Sequence, residues 1–236
     1  MSWCLITVYL YSIMFAVDYL LPQKSPHPAG RLVRASALLG QRPAVLASGL
    51  DELDRLTGGF FLGEINELVA SGPRAQILLY PMLAAACARG ESPALIDGGD
   101  GFDIDSACRA GVVLSRIILV RPASWAEALC AAESLLASPG LRLVVLDGVG
   151  MKGRPLPAAA LRLRGAARTG RGALVLRAPF ALAGNLARMR LRVLGLRPRW
   201  RRGSAGAFLE GLSLWLRIER AFCLETPRLI KVELQA

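Results

Sequence analysis

Five short apolar runs alternate with stretches of helical character between residues 63 and 177, and that alternation restricts the fold more than any other feature. The runs cover residues 65–69, 94–97, 116–120, 143–147 and 173–177. Strands separated by helices at this spacing pair in parallel through right-handed crossovers. Ser124 and Glu127 form a capping-box pattern ahead of a helix that Pro139 and Gly140 close. Leu50, Leu53 and Leu56 fall on one face of an earlier short helix, which Gly58 and Gly59 stop. Residues 212–219 and 229–234 alternate as two antiparallel strands at the sheet edge. Residues 183–192 read equally as helix or strand. The expected fold is α/β: a three-layer core with a mainly parallel sheet and antiparallel C-terminal edge strands.

The stretch from Gly63 to Ala86 has the layout of a strand, a tight loop and a helix. Ile65, Leu68 and Val69 suit a buried strand. Ser71, Gly72 and Pro73 make the turn. Gln76 to Ala88 reads as an apolar helix kinked at Pro81. A phosphate-binding loop sits at such a junction, where backbone N–H groups and a helix N-terminus face the anion. A working loop of this kind reads Gly, four residues, Gly-Lys-Ser/Thr. In register, this chain has Ala70, then Ser71 to Arg74, then Ala75, Gln76 and Ile77. Both glycines, the lysine and the magnesium-binding hydroxyl are replaced. Ser71, Gly72, Arg74 and Gln76 are what remains to meet a nucleotide.

The chain has 236 residues and a formal net charge of +11. Residues 1–150 hold 11 Lys/Arg and 14 Asp/Glu, net −3, and residues 151–236 hold 18 and 4, net +14. The back half therefore suits an anionic partner, and its charge is nearly all arginine, whose fork fits phosphate. Arg197, Arg199, Arg201 and Arg202 flank Trp200. These arginines are placed to track phosphates while the indole stacks on a base. An ordinary solvated loop is the other reading of that cluster. The five cysteines form no close pair and His27 is the single histidine, which argues against a zinc site or a disulfide framework.

Residues 3–21 are apolar apart from a few polar groups and Asp18. Nineteen helical residues span about 28 Å, near a bilayer core, but Asp18 opposes burial in lipid. No basic region precedes the segment and no small-residue cleavage site follows it. It is read as a loosely docked extension, with a membrane anchor as the alternative. Residues 22–43 are a Pro-rich basic linker. Residues 44–236 form the folded domain, with a cytoplasmic location expected.

The ordered set Ser48-Gly49, Leu53-Asp54, Gly58-Gly59-Phe60, Gly63 and Glu67-Leu68, followed by the runs ending in Asp97, Val120 and Asp147, resembles a RecA-like core domain. Residues 77–84 and 120–129 are most similar to the ImuA branch, RecA-like proteins of bacterial damage-induced mutagenesis. The resemblance implies a P-loop-type RecA fold and a place in DNA repair, the SOS response and translesion synthesis. The implied partners are a Y-family-like polymerase, an error-prone polymerase, RecA and DNA. Asp147 matches the aspartate that helps hold magnesium in active relatives, and Asp97 the acidic residue on the neighbouring strand. Gly99 falls where the catalytic glutamate belongs. The resulting expectation is a non-catalytic docking body with no cofactor. ATP with magnesium enters only if the degenerate loop still binds, and a DNA-stimulated ATPase or recombinase is the alternative.

Overall fold

The computed structural model describes residues 43–155, 158–203, 206–222, 224–225 and 227–235, with the backbone alone at Pro73, Arg74, Gly203 and Gln235. The expectations for residues 1–42 lie outside the described residues. From Pro43 the chain forms β1 (Val45–Leu46), α1 (Asp51–Thr57), β2 (Phe60–Phe61) and β3 (Ile65–Val69). A 3₁₀ helix (Pro73–Leu78) leads into α2 (Leu79–Ala88). Then come β4 (Ala94–Asp97), α3 (Ile104–Arg109), β5 (Ile118–Val120), α4 (Trp125–Ala137), β6 (Leu143–Asp147), α5 (Ala158–Gly170) and β7 (Ala173–Ala178). The chain ends in β8 (Ala187–Gly203), β9 (Gly206–Ala221) and β10 (Arg228–Gln235).

Eight strands make one sheet in the order β10-β9-β8-β3-β7-β6-β4-β5. Every neighbouring pair from β8 to β5 is parallel, whereas β8, β9 and β10 run antiparallel. The expected α/β fold, mainly parallel with antiparallel edge strands, is the one observed. Period-two alternation divides the strand residues between two cores. Leu143, Val145, Ala173 and Val175 face α1, α2 and α3. Val144, Leu146, Leu174 and Leu176 face α4 and α5. The first core continues along the C-terminal strands through Leu191, Leu214, Leu216 and Val232, while the second stops at Ala187. One face of β8–β10 therefore has no helix over it among the described residues.

The Ser48–Asp54 pattern is a local clamp. Asp54 accepts from the Ser48 amide at 2.9 Å, the Ser48 hydroxyl at 2.6 Å and the Gly49 amide at 3.3 Å. Gly49 has φ +80°, and a Cβ there would stand 2.4 Å from the Pro81 carbonyl oxygen. Gly59 has φ +115°, and its Cβ would stand 2.1 Å from the Leu46 oxygen. Only glycine suits either position. Leu50 and Leu53 are buried as expected, but Leu56 is 39% exposed. A residue six positions after Leu50 lies about 120° around the helix, off the core stripe.

The helix after the loop differs from expectation. Its discontinuity falls at Leu78/Leu79, where 3₁₀ gives way to α-helix, and not at Pro81. Pro81 is the third residue of α2, inside the first turn, where N–H groups lack partners within the α-helix. Residues 183–192 resolve into a short 3₁₀ turn, Gly184–Leu186, followed by the start of β8. Arg197 to Arg202, open to a loop reading, lie within β8. Among the described residues no helix is long and apolar enough to cross a membrane.

Candidate functional site

The C-terminal ends of β3, β4, β6 and β7 meet below the turn that follows β3. Parallel registry sets Asp97 beside Asp147 and Asp147 beside Arg177, while Leu68 of β3 lies beside Arg177 on its other side. Asp97, Asp147 and Arg177 share the strand face that carries Leu95, Val145 and Val175, so all three point toward the α2 side. They are 2%, 3% and 1% exposed.

Arg177 holds this row together. Its Nη1 donates to Asp147 Oδ2, and its Nη2 donates to the Gly72 carbonyl at 2.6 Å. Val149 N donates to the other Asp147 oxygen at 3.1 Å. Asp147 thus has both oxygens engaged by the protein. Burial pushes its carboxyl above the usual range, against the pull of the Arg177 charge and the Val149 amide. Asp97 accepts from the Gly101 and Phe102 amides at 3.1 and 2.9 Å, closing the turn after β4.

The expected loop residues take different places. Ser71 and Gly72 are exposed on the turn, and Gly72 has φ +79°. Gln76 is 7% exposed, and its Nε2 has no hydrogen-bond partner. The Arg74 side chain lies outside the described groups. Gly99 packs against the Val149 carbonyl, with the position of a Cβ only 2.2 Å from that oxygen, so no larger side chain fits there. Asp100 is turned outward and pairs with Arg121 at 2.9 Å.

Two residues of this region were missed by the motif reading. Arg177 ends a Leu/Val run, and the signal available was a basic strand end opposite the acidic end of the preceding strand. Glu67 carried the resemblance without a role. It is 3% exposed and accepts from Arg190 Nε at 2.7 Å and from the Leu182 and Ala183 amides. It ties the end of β3 to the segment after β7 and to β8.

The expected basic cluster is divided by the pleat of β8. Arg197, Arg199 and Arg201 alternate onto one face, and Trp200 and Arg202 onto the other. Trp200 is 59% exposed. Arg199 pairs with Glu233 at 2.7 Å, and the Arg197 guanidinium lies 5.6 Å from the centre of the Trp215 ring.

The strand order, the crossovers and the turn after β3 make a fold of the RecA type. The crystal structure of the RadB recombinase matches it with a TM-score of 0.59 at 19% identity, covering 79% of this chain and 94% of that one. In sequence, the RecA protein of Lactococcus lactis subsp. cremoris is 31% identical over 124 residues, 51% of this chain and 32% of that protein. Mesoplasma florum RecA is 30% identical over 110 residues, 44% of this chain and 32% of that protein. The chain thus spans about a third of the length of these curated relatives. No protein-family model matches it.

Proposed function

We propose that this chain is a non-catalytic RecA-like accessory protein of bacterial DNA repair, acting as a docking body for polymerase or recombinase partners. The observation that supports it most is Arg177. In a working phosphate-binding loop, a lysine and a metal ion place positive charge between the loop and the strand-end aspartate. Here a guanidinium from β7 already bridges the loop carbonyl of Gly72 and the Asp147 carboxylate. The donor set does not suit magnesium. Asp147 is buried and fully engaged, Ile77 stands where the hydroxyl belongs, and no side chain fits at Gly99. The partner set of the ImuA-like branch, a Y-family-like polymerase and an error-prone polymerase in translesion synthesis, belongs to the same reading. So do RecA and the SOS response.

A DNA-stimulated ATPase is the competing reading, favoured by the retained carboxylates Asp97 and Asp147. A fluorescent ATP analogue titrated with magnesium separates the two. The accessory reading expects no saturable binding up to millimolar nucleotide. Saturable micromolar binding by the parent chain, or brisk hydrolysis, defeats it.

A further inference from the structure

We propose that the uncovered face of β8, β9 and β10 is a platform for single-stranded DNA, built from Arg197, Arg201, Arg217, Trp215 and Phe208. The choice of DNA as the nucleic acid rests on the accessory-protein reading above; the platform itself rests on the face.

The helices α4 and α5 cover the sheet only as far as the start of β8. Beyond that, the even residues Leu214, Leu216 and Ile218 of β9 turn into the core beneath α1 and α2. The odd residues Ser213, Trp215, Arg217 and Glu219 therefore lie on the uncovered side. Arg197 stands opposite Ser213, Arg192 opposite Arg217 and Arg201 opposite Phe208, which brings these side chains onto the same face. From Arg217 to Phe208 along β9 is about 30 Å at the usual strand rise. β3 ends its pairing with β8 at Arg192, and β10 reaches only Gly211 of β9. Among the described residues, the ribbon that carries Arg201 and Phe208 thus projects without a third strand.

The charges on this face are sorted. Glu219 is held by Arg192, and Glu233 by Arg199 and Lys231. Hydrogen bonds from those partners hold both carboxyls below the usual range, so these acids stay ionised and paired. Arg197, Arg201 and Arg217 are exposed and make no ion pair among the described residues. One exposed acid, Glu210, sits at the irregularity opposite Arg199 and Trp200. The rings are interleaved with the free arginines. Arg197 lies over Trp215, and Phe208 is 53% exposed. Basic groups in a line beside the exposed Phe208 ring, with Trp215 half-buried under Arg197, suit a strand whose bases are unstacked. A duplex keeps its bases stacked inside and offers these rings nothing.

The test uses the full chain and a fluorescein-labelled oligothymidylate read by anisotropy. Three phosphate contacts predict affinity falling about 20-fold between about 50 and 200 mM salt. Replacing Arg197, Arg201 and Arg217 together by glutamine should cost at least about tenfold and flatten that salt dependence. Replacing Phe208 by alanine should cost about tenfold through lost stacking, with the salt dependence kept. All four sites are at the surface, and thermal melts confirm folding. A charge-matched control replaces the exposed Arg55, Arg162 and Arg171 by glutamine and should retain affinity. Equal binding by a duplex, preferential binding of an RNA oligomer, competition by phosphatidylserine vesicles, or an equal loss in the control overturns the platform. Failure here leaves the nucleotide titration untouched, so loss of the platform is distinguishable from loss of the accessory reading.

Discussion

Arg177 carries a full charge where only 1% of its surface meets solvent, beside an aspartate that is 3% exposed. The pair is tolerable because each charge offsets the other and the Gly72 carbonyl takes a further N–H. Removing one partner leaves the other buried and uncompensated. Arg177→Ala should therefore destabilise the fold by about 3–5 kcal/mol in urea unfolding. The double variant Arg177→Met with Asp147→Leu should recover most of that loss, because an apolar pair of similar volume avoids the desolvation cost. A double variant as unstable as the single would show that the lost bonds to the Gly72 carbonyl and from the Val149 amide outweigh the desolvation of the two charges. Glu64 makes a second ionic test. Burial tends to raise its carboxyl, but Arg164 and Arg168 outweigh that and hold it below its usual value. Its stabilisation is therefore present above the unfolded value and is lost as pH falls through the folded one. Glu64→Gln should cost roughly 1 kcal/mol at pH 7, kept small because the site is partly open to solvent. Below the folded value, acid titration should show no difference from the parent chain.

At the scale of elements, legibility followed locality. The helix α4 was readable from Ser124 and Glu127. Ser124 Oγ accepts from the Glu127 amide at 3.3 Å, and the Glu127 carboxylate accepts from the Ala123 amide at 2.9 Å. Ser124→Ala should lower stability by about 1 kcal/mol, with the loss centred on the first turn of α4 in hydrogen exchange. A loss below a few tenths would mean that Glu127 caps the helix alone. The long β8–β9 ribbon was not readable in the same way. Pro198 and four arginines within six residues imitate a loop. Pro198 is accommodated because β8 has left β3 by then and is an edge strand on that side. The pairing of Arg177 with Asp147 spans 30 positions and depends on β6 and β7 being neighbours. Only the sheet order reveals it. The motif reading registered what the loop had lost, whereas the replacement came from another strand.

Across the whole molecule, cover is unequal. The central strands β3, β6 and β7 are buried along their full length, with helices on both sides of β6 and β7. Among the described residues, the C-terminal strands have one core face and one open face, and the ribbon around Trp200 and Phe208 lacks even a third strand. Local opening requires less where fewer apolar contacts must break. Native-state hydrogen exchange should therefore run in a gradient. Amides of β3, β6 and β7 should exchange only through global unfolding, those of β9 and β10 through a smaller opening, and those near Trp200 and Phe208 fastest. Such a gradient also fits the platform, because a surface that orders on a nucleic-acid strand belongs to the low-stability end of a fold. Adding oligothymidylate should slow exchange in the ribbon and in β9 while leaving β3, β6 and β7 unchanged. If protection were uniform in the free chain, the three C-terminal strands would be an integral part of one cooperative unit. Their open face would then have to be explained by an interface that the isolated chain already maintains.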